Sequence, residues 1–425
     1  MTGETGISVI PVNDAPQVNT PGTQFAVEDQ DHKITGLTVE DVDYDQGAFV
    51  LDPNLTMRVT VSVIQGKLTL ADTTGLTFPD DIDGNGVGGD DPALPYTQIT
   101  MTGSPADLNR ALDMMNYRGN LNFNGTDNLT VLVNDLGNTQ TDVAGNPTGT
   151  PLTDRAVVPI VVSAVNDAPS VDVSAVANTT VDEDSDLLLP GIKVNDVDAE
   201  LGVVTLTVTL QATHGTIRIN PGIGGGVIST KIVGNETKVV TVTGTTAQIN
   251  TTFAASDGVT YRGTQDYNGP DAVIVSVNDN GNIGTGGAKQ TGTPGNPPNG
   301  TIAITVEAVN DWPEIQAPVG TQLFDENIPG AIPLIIDDVD ASEPGGGPIT
   351  VTLTVTHGTL HVRGDVPGGL DPLTDPNAIW NNDSQSVTLS GSPEDITTTL
   401  TNTTGLIYSP GLNFNGDDDL VVFVN

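Results

Sequence analysis

Val12-Asn13-Asp14-Ala15-Pro16 returns as Val165-Asn166-Asp167-Ala168-Pro169 and again as Val309-Asn310-Asp311-Trp312-Pro313, at intervals of 153 and 144 residues. Self-similarity at such a period marks a chain of repeated folding units, and aligning it on these marks brings further features into register. An acidic pair or triple follows each mark: Glu28-Asp29, Asp182-Glu183-Asp184 and Asp325-Glu326. Beyond it stands Asp41-Val42-Asp43, then Asp196-Val197-Asp198, then Asp338-Val339-Asp340. A stretch of strict alternation comes next, with apolar Met57, Val59, Val61 and Val63, or Val204, Leu206, Val208 and Leu210, or Ile349, Val351, Leu353 and Val355. Alternation of period two makes a strand with one buried face.

Each such strand runs into a Gly turn, Gln65-Gly66, His214-Gly215 or His357-Gly358, and a returning strand of the Lys67-Leu68-Thr69-Leu70 type, which reads as a β-hairpin. Ser104-Pro105-Ala106-Asp107, Thr245-Thr246-Ala247-Gln248 and Ser392-Pro393-Glu394-Asp395 each set a hydroxyl three residues before an acid or amide, the signature of a capped helix start. One short helix per unit is therefore expected. Tyr117, Tyr261 and Tyr408 follow, each eight residues before the Gly of Phe123-Asn124-Gly125, Tyr267-Asn268-Gly269 and Phe414-Asn415-Gly416, as core and turn residues. A further strand ends in Val133-Asn134-Asp135 or Val277-Asn278-Asp279, and a last strand, such as Ile302, Ile304, Val306 and Ala308, closes the unit. By the same register Ile7 and Val9 read as the closing strand of a preceding repeat.

The fold class that follows is all-β: tandem Greek-key β-sandwiches of the cadherin or immunoglobulin kind, each with one short helix. The expected boundaries are 1–14 for a closing strand plus linker, 15–167 for repeat 1, 168–311 for repeat 2, and 312–425 for repeat 3 without its closing strand. Composition agrees. Hydrophobic residues make up 36% and aromatics 4%, with Gly 49 and Pro 29, which suits many short strands and turns. The opening Met1-Thr2-Gly3-Glu4 has no signal-peptide core, and the out-of-phase repeats read as a piece cut from a longer protein.

The chain carries 54 acidic and 13 basic residues, a net charge of -41, so nucleic acid is repelled and is excluded as a partner. No stretch approaches the ~18 apolar residues of a membrane-spanning helix. With no Cys there are no disulfides and no thiolate zinc sites. The acids are 43 Asp against 11 Glu, a bias toward short carboxylates that generic surface charge does not require. Like charges ~4 Å apart cost about 4 kcal/mol at an effective dielectric near 20, and a cation removes that cost. Oxygen donors without thiolates or clustered imidazoles favour Ca²⁺, since Mg²⁺ keeps its waters. The candidate metal ligands are Asn13, Asp14, Glu28, Asp29, Asp41, Asp43 and Asp135 in the first copy. Their counterparts are Asn166, Asp167, Glu183, Asp184, Asp196, Asp198 and Asp279 in the second, and Asn310, Asp311, Glu326, Asp338 and Asp340 in the third. Asp81-Ile82-Asp83-Gly84-Asn85-Gly86 matches the first half of an EF-hand loop, with Asp81, Asp83 and Asn85 as oxygen donors. It reads either as a separate Ca²⁺ site or as a solvated acidic loop.

The Val-Asn-Asp-Ala-Pro phrase, the Asp-Val-Asp triplets and the lone Glu residues resemble the linker, DxD and strand-Glu ligands of cadherin repeats. The whole series, with the capped helix, the Tyr and the Asn-Phe-Asn-Gly turn, is similar to the cadherin-like and chondroitin-sulfate-proteoglycan-type repeats of giant bacterial adhesins of the RTX type. That resemblance spans essentially the whole chain. It implies ions at the junctions, with Asn166, Asp167, Asp196, Asp198 and Glu28 at one and Asn310, Asp311, Asp338, Asp340 and Glu183 at the next. It also implies an extracellular, cell-surface extender or cell-adhesion module whose partners are Ca²⁺ and neighbouring repeats. Two alternatives stand beside it: a self-assembling filament or surface-layer subunit joined by strand addition to other copies, and a receptor for a surface or glycan ligand using Trp312 and Trp380. No GxSxG elbow, HExxH pair, Walker loop or dinucleotide fingerprint occurs, and Gly224-Gly225-Gly226 precedes no helix pattern, so no enzyme is expected.

Overall fold

The computed structural model describes residues 5–6, 12–44, 55–83, 90–137, 149–177, 179–201, 204–281, 283–342 and 346–425. The expected closing strand at Ile7 and Val9, and Asn85 of the acidic loop, lie outside the described residues. The first copy holds β1 (Gln17–Asn19), β2 (Gln24–Val27), β3 (His32–Lys33), β4 (Thr38–Glu40), β5 (Met57–Ser62), β6 (Gly66–Leu70), β7 (Gln98–Gly103), α1 (Pro105–Asp113), β8 (Met115–Gly119), β9 (Gly125–Asn134) and β10 (Thr153–Ser163). The second holds β11 (Ser170–Asp172), β12 (Thr180–Asp182), β13 (Asp186–Leu188), β14 (Lys193–Asn195), β15 (Leu206–Ala212), β16 (Gly215–Ile219), β17 (Ile232–Val233), β18 (Val239–Gly244), α2 (Thr246–Ala254), β19 (Val259–Gly263), β20 (Gly269–Asn278) and β21 (Gly300–Glu307). The third holds β22 (Glu314–Gln316), β23 (Gly330–Ala331), β24 (Ile335–Asp337), the single turn α3 (Val339–Ser342), β25 (Ile349–Thr354), β26 (Gly358–Val362), β27 (Ile379–Trp380), β28 (Ser386–Gly391), α4 (Pro393–Thr401), β29 (Leu406–Pro410) and β30 (Val421–Val424). No helix among the described residues is long and apolar enough to cross a membrane.

The chain falls into two compact units, one of Met1–Asn178, Leu188–Tyr261 and Ala272–Ile302, the other of Thr179–Leu187, Arg262–Asp271 and Ala303–Asn425. The architecture is all-β, with tandem sandwiches. In the first copy one sheet runs β2-β10-β9-β5-β7 and faces a second of order β3-β8-β6. Between them lies the core: Met57, Val59, Val61, Leu129, Val131 and Val133 from one side, Leu68, Leu70, Met115 and Tyr117 from the other. Each such side chain contributes about 1.5–3 kcal/mol by leaving water, which is why the period-two pattern fixes the facing of every strand. β15 pairs antiparallel with β18 and β20 in the second copy. The third has sheets β27-β28-β25-β30 and β23-β29-β26 around its own core.

The expected hairpin is not one. β5 pairs with β7 and β9, whereas β6 pairs with β8 in the other sheet, so the Gln65-Gly66 turn is an arch from sheet to sheet. The same holds for β25 and β26 about His357-Gly358. Two contacts impose the arch. The Asp127 carboxylate accepts from Ile64 N at 3.1 Å and Gln65 N at 2.9 Å, and Asp418 does the same for Thr356 and His357. Tyr117 and Tyr408 each donate their hydroxyl to that Asp and cover the Gly so closely that a Cβ at Gly66 or Gly358 would lie 2.4 Å from the ring. Arch and hairpin share one sequence pattern, two alternating strands and a short Gly turn.

The capped helices form as expected. Ser104, Thr245 and Ser392 accept from the backbone N–H of Asp107, Gln248 and Asp395, and Thr245 with Gln248 completes a capping box. Each helix then clamps the strand that precedes an Asp-Val-Asp triplet. Asn109 bonds both backbone groups of Val39, Asn250 those of Val194, and Thr397 those of Ile336. Because β4 pairs β1, β14 pairs β11 and β24 pairs β22, the clamp also sets each triplet beside the mark preceding its copy.

Candidate metal centre

The marks and triplets meet in the same way three times. Asp14 N donates to Asp43 Oδ2 at 2.7 Å, Asp167 N to Asp198 Oδ2 at 2.6 Å, and Asp311 N to Asp340 Oδ2 at 2.5 Å. Within the triplets, Asp43 N donates to Asp41 Oδ1, Asp198 N and Ala199 N to Asp196 Oδ1, and Ala341 N to Asp338 Oδ1. Each of these bonds uses one oxygen of the accepting carboxylate.

The strand Glu comes to this point because the closing strand passes it. Glu28 N donates to Ser163 O at 3.1 Å, and Val165 N donates to Glu28 Oε1 at 2.5 Å. Glu183 repeats both bonds with Glu307 O at 2.8 Å and Val309 N at 2.7 Å. Glu28, Asp167 and Asp198 thereby offer three carboxylate oxygens within 4.8 Å of one another, and Glu183, Asp311 and Asp340 offer the same set. Burial, chiefly, raises the Glu28, Asp167 and Asp311 carboxyls above their usual range, and neighbouring carboxylates add to it. Asp311 Oδ2 is buried without a hydrogen-bond partner.

A second layer lies beneath. Asn166 donates from Nδ2 to Asp279 Oδ2 at 2.6 Å and to Gly287 O at 3.0 Å. Asn13 does likewise to Asp135 at 2.7 Å and Thr150 O at 3.0 Å. Asp135 and Asp279 are themselves held by backbone N–H groups, from Gly137 and Leu152 in one case and Gly281 and Lys289 in the other. Asp41 is pushed up to about 6, first by burial and then by the charges of Asp43, Asp135 and Asp14. Asp196 is 2% exposed, and its Oδ2 is buried with no hydrogen-bond partner while Asp198 and Asp279 act on it electrostatically. A buried carboxylate oxygen left open beside like charges is the arrangement a hard divalent cation satisfies.

Two loop residues that the sequence does not single out distinguish the two carboxylate groups. Asn122, with φ of 57°, faces Asp167 Oδ2 at 3.1 Å and Asp29 Oδ2 at 3.2 Å, and donates to both once its side-chain oxygen and nitrogen are exchanged, the orientation that satisfies these acceptors. Its counterpart is Asp266, φ 54°, and there Asp184, Asp266 and Asp311 bring three carboxylates within 4.8 Å. An amide thus stands between two carboxylates in one group, where a third carboxylate stands in the other. The signal in sequence is only that both precede the Phe/Tyr-Asn-Gly turn by one residue. Asn and Asp tolerate that left-handed backbone, so the pattern reads as a turn.

Glu326, Asn310 and the acidic loop stand outside these groups. Glu326 is exposed and joins none of these groups, because no closing strand lies beside it among the described residues. Asn310 donates to Asp311 O at 3.0 Å. Asp81 and Asp83 gather with Asp90 within 4.8 Å, and Ile82 N donates to Asp90 Oδ2 at 2.8 Å. Trp312 and Trp380 are 94% and 59% exposed, with no pocket around either among the cavities described.

No protein-family model and no curated protein matches the chain. Among solved structures it is similar to protocadherin gamma B2 extracellular cadherin domains 3–6, at 13% identity and TM-score 0.31, over 97% of this chain and 78% of that one. It is similar to mouse cadherin-23 EC22–24 at 15% identity and TM-score 0.31, over 89% of each chain. Domains 1–5 of protocadherin gamma B2 give 13% identity and TM-score 0.33, over 90% of this chain and 54% of that one. Likeness at such TM-scores assigns this chain neither a role nor a metal.

Proposed function

We propose that the chain is a run of tandem β-sandwich repeats, bounded at 15–167, 168–311 and 312–425, from a large extracellular or cell-surface protein. In it Ca²⁺ at the junctions braces neighbouring repeats, and it serves as an adhesion or extender module of the bacterial adhesin type and not as an enzyme. The observation that carries the reading is the set Glu28, Asp167 and Asp198, brought together from three distant parts of the chain and duplicated as Glu183, Asp311 and Asp340. Oxygen-only donors, bound without imidazole or thiolate, fit Ca²⁺ better than Zn²⁺, and a site built on flexible Asp turns fits it better than octahedral Mg²⁺.

Calorimetric Ca²⁺ titration with melting curves tests this. Affinities of the extracellular class, ~10⁻⁴ to 10⁻³ M, are expected. At a hundred times Kd each site adds about 2.7 kcal/mol. The absence of both heat and a melting shift at saturating Ca²⁺ overturns the proposal.

A further inference from the structure

β27, β28, β25 and β30 form one sheet of the third copy, and their registers line four side chains across its outer face. Trp380 stands opposite Thr388, Thr388 opposite Thr352, and Thr352 opposite Phe423. Their strand neighbours Ile379, Leu389, Val351 and Val422 pack on the core, so alternation turns this row away from it. Three strand steps of ~4.8 Å set Trp380 and Phe423 about 14 Å apart at the two ends of the row. They are 59% and 63% exposed, with the partly exposed Thr hydroxyls between them. In the next row Thr354 Oγ1 and Ser386 Oγ lie 3.1 Å apart.

The hydroxyl pair is common to all three copies, and the aromatic ends are not. Thr60 opposite Thr100 and Thr209 opposite Thr241 occupy the same two places. Leu132 and Ser276 stand there at the position of Phe423, and Val233 at that of Trp380. Leu132 remains 39% exposed with β10 beside its strand, so alternation, and not the flank of β30, aims Phe423 outward. Threonine pairs on an outer face need only β propensity to explain them, and single exposed apolar residues are ordinary. Two large aromatics closing one hydroxyl row, in a chain with 4% aromatics, are neither.

Charge selects the occupant. The chain carries a net charge of -41, yet none of the outward positions on these four strands is ionisable. A second copy or an acidic polymer meets the repulsion of the whole chain, whereas a neutral ligand meets an uncharged face. Aromatic faces are electron-rich and attract the C–H bonds of a sugar ring, and Thr hydroxyls both donate to and accept from its hydroxyls. The face is an open shelf and not a cavity, which suits an extended chain better than a coiled one.

We infer that this face binds a neutral, extended β-1,4-linked oligosaccharide laid across the strands, with one ring stacked on Trp380, another on Phe423, and the Thr352 and Thr388 hydroxyls bonded between them. The inference goes beyond the bracing role of the repeats and does not rest on the metal.

The test titrates cellohexaose into the full chain by calorimetry. Saturable one-to-one binding is expected, weakened at least about tenfold by Trp380→Ala and at least about threefold by Phe423→Ala. Trp380→Tyr keeps a stacking face and should retain most of the binding, and Trp312→Ala, which removes the other exposed Trp, should leave it unchanged. No saturable binding, or an equal loss in Trp312→Ala, overturns the inference. Equally tight binding of an anionic hyaluronan hexasaccharide overturns it as well, as does a dimer in sedimentation that Trp380→Ala abolishes.

Discussion

Replacing Glu28 with Gln removes one negative charge from the first carboxylate group and leaves its shape almost unchanged. Glu28 is 2% exposed, and the bond it accepts from Val165 N at 2.5 Å can be kept by the Gln carbonyl. Its oxygen lies within 4.8 Å of those of Asp167 and Asp198, and at that separation two unit charges repel by about 3.5 kcal/mol at an effective dielectric near 20, or about 0.9 kcal/mol in bulk water. Glu28 belongs to two such pairs, so Glu28→Gln is expected to stabilise the metal-free chain by roughly 2–7 kcal/mol. Partial exposure of Asp167 and ionic screening draw the result toward the lower end. Excess Ca²⁺ reverses the sign, because the variant has lost a charged ligand and gains less from the ion. The assay is thermal unfolding of both proteins in EDTA and in saturating Ca²⁺, following the transition that Ca²⁺ shifts, since a chain of several sandwiches has no single unfolding free energy. At about 2–4 °C per kcal/mol, a gain of at least ~4 °C in EDTA is expected, with a smaller Ca²⁺ shift than wild type. A variant that melts lower in EDTA, or that keeps the full Ca²⁺ shift, refutes the reasoning.

Asp41 titrates near 6 when folded against 3.8 ordinarily, so the folded state binds its proton more tightly, and the stability this contributes is complete below 3.8 and lost as pH rises through about 6. Melting temperature in EDTA should therefore fall across that window, while in excess Ca²⁺, which needs the ionised carboxylate, scanning calorimetry should show a flat or rising profile. Asp266→Asn should lower the Ca²⁺ bound per chain by one ion and Asn122→Asp should raise it by one, as counted by calorimetric stoichiometry, because these residues decide whether an amide or a carboxylate meets the neighbouring acids. Gly358→Ala places a Cβ 2.4 Å from Tyr408 Cε2 and 2.6 Å from Ser409 O, a clash backbone cannot relieve, and should cost about 3 kcal/mol in denaturant unfolding of the third copy.

What the amino-acid order determines by itself is everything written at short range. Strict alternation at Met57, Val59 and Val61 makes a one-faced strand wherever it lies, Ser104 and Ser392 start helices with the amides three residues on, and the threefold recurrence of Val-Asn-Asp fixes the repetition. Tertiary structure decided which sheet each strand joins and which acids meet. Gln65-Gly66 reads as a hairpin until Asp127 takes its amides and Tyr117 covers its glycine, both from strands far along the chain. Asn166 reads only as a linker oxygen donor, and packing adds to it an amide bond to Asp279, 113 residues away. Asp266 reads as a turn residue until Asp184 and Asp311 arrive beside it. Local sterics and hydrogen bonds act over a few residues and leave their trace in spacing. Coulomb repulsion among carboxylates acts through space, and only the folded backbone sets the distances on which it depends.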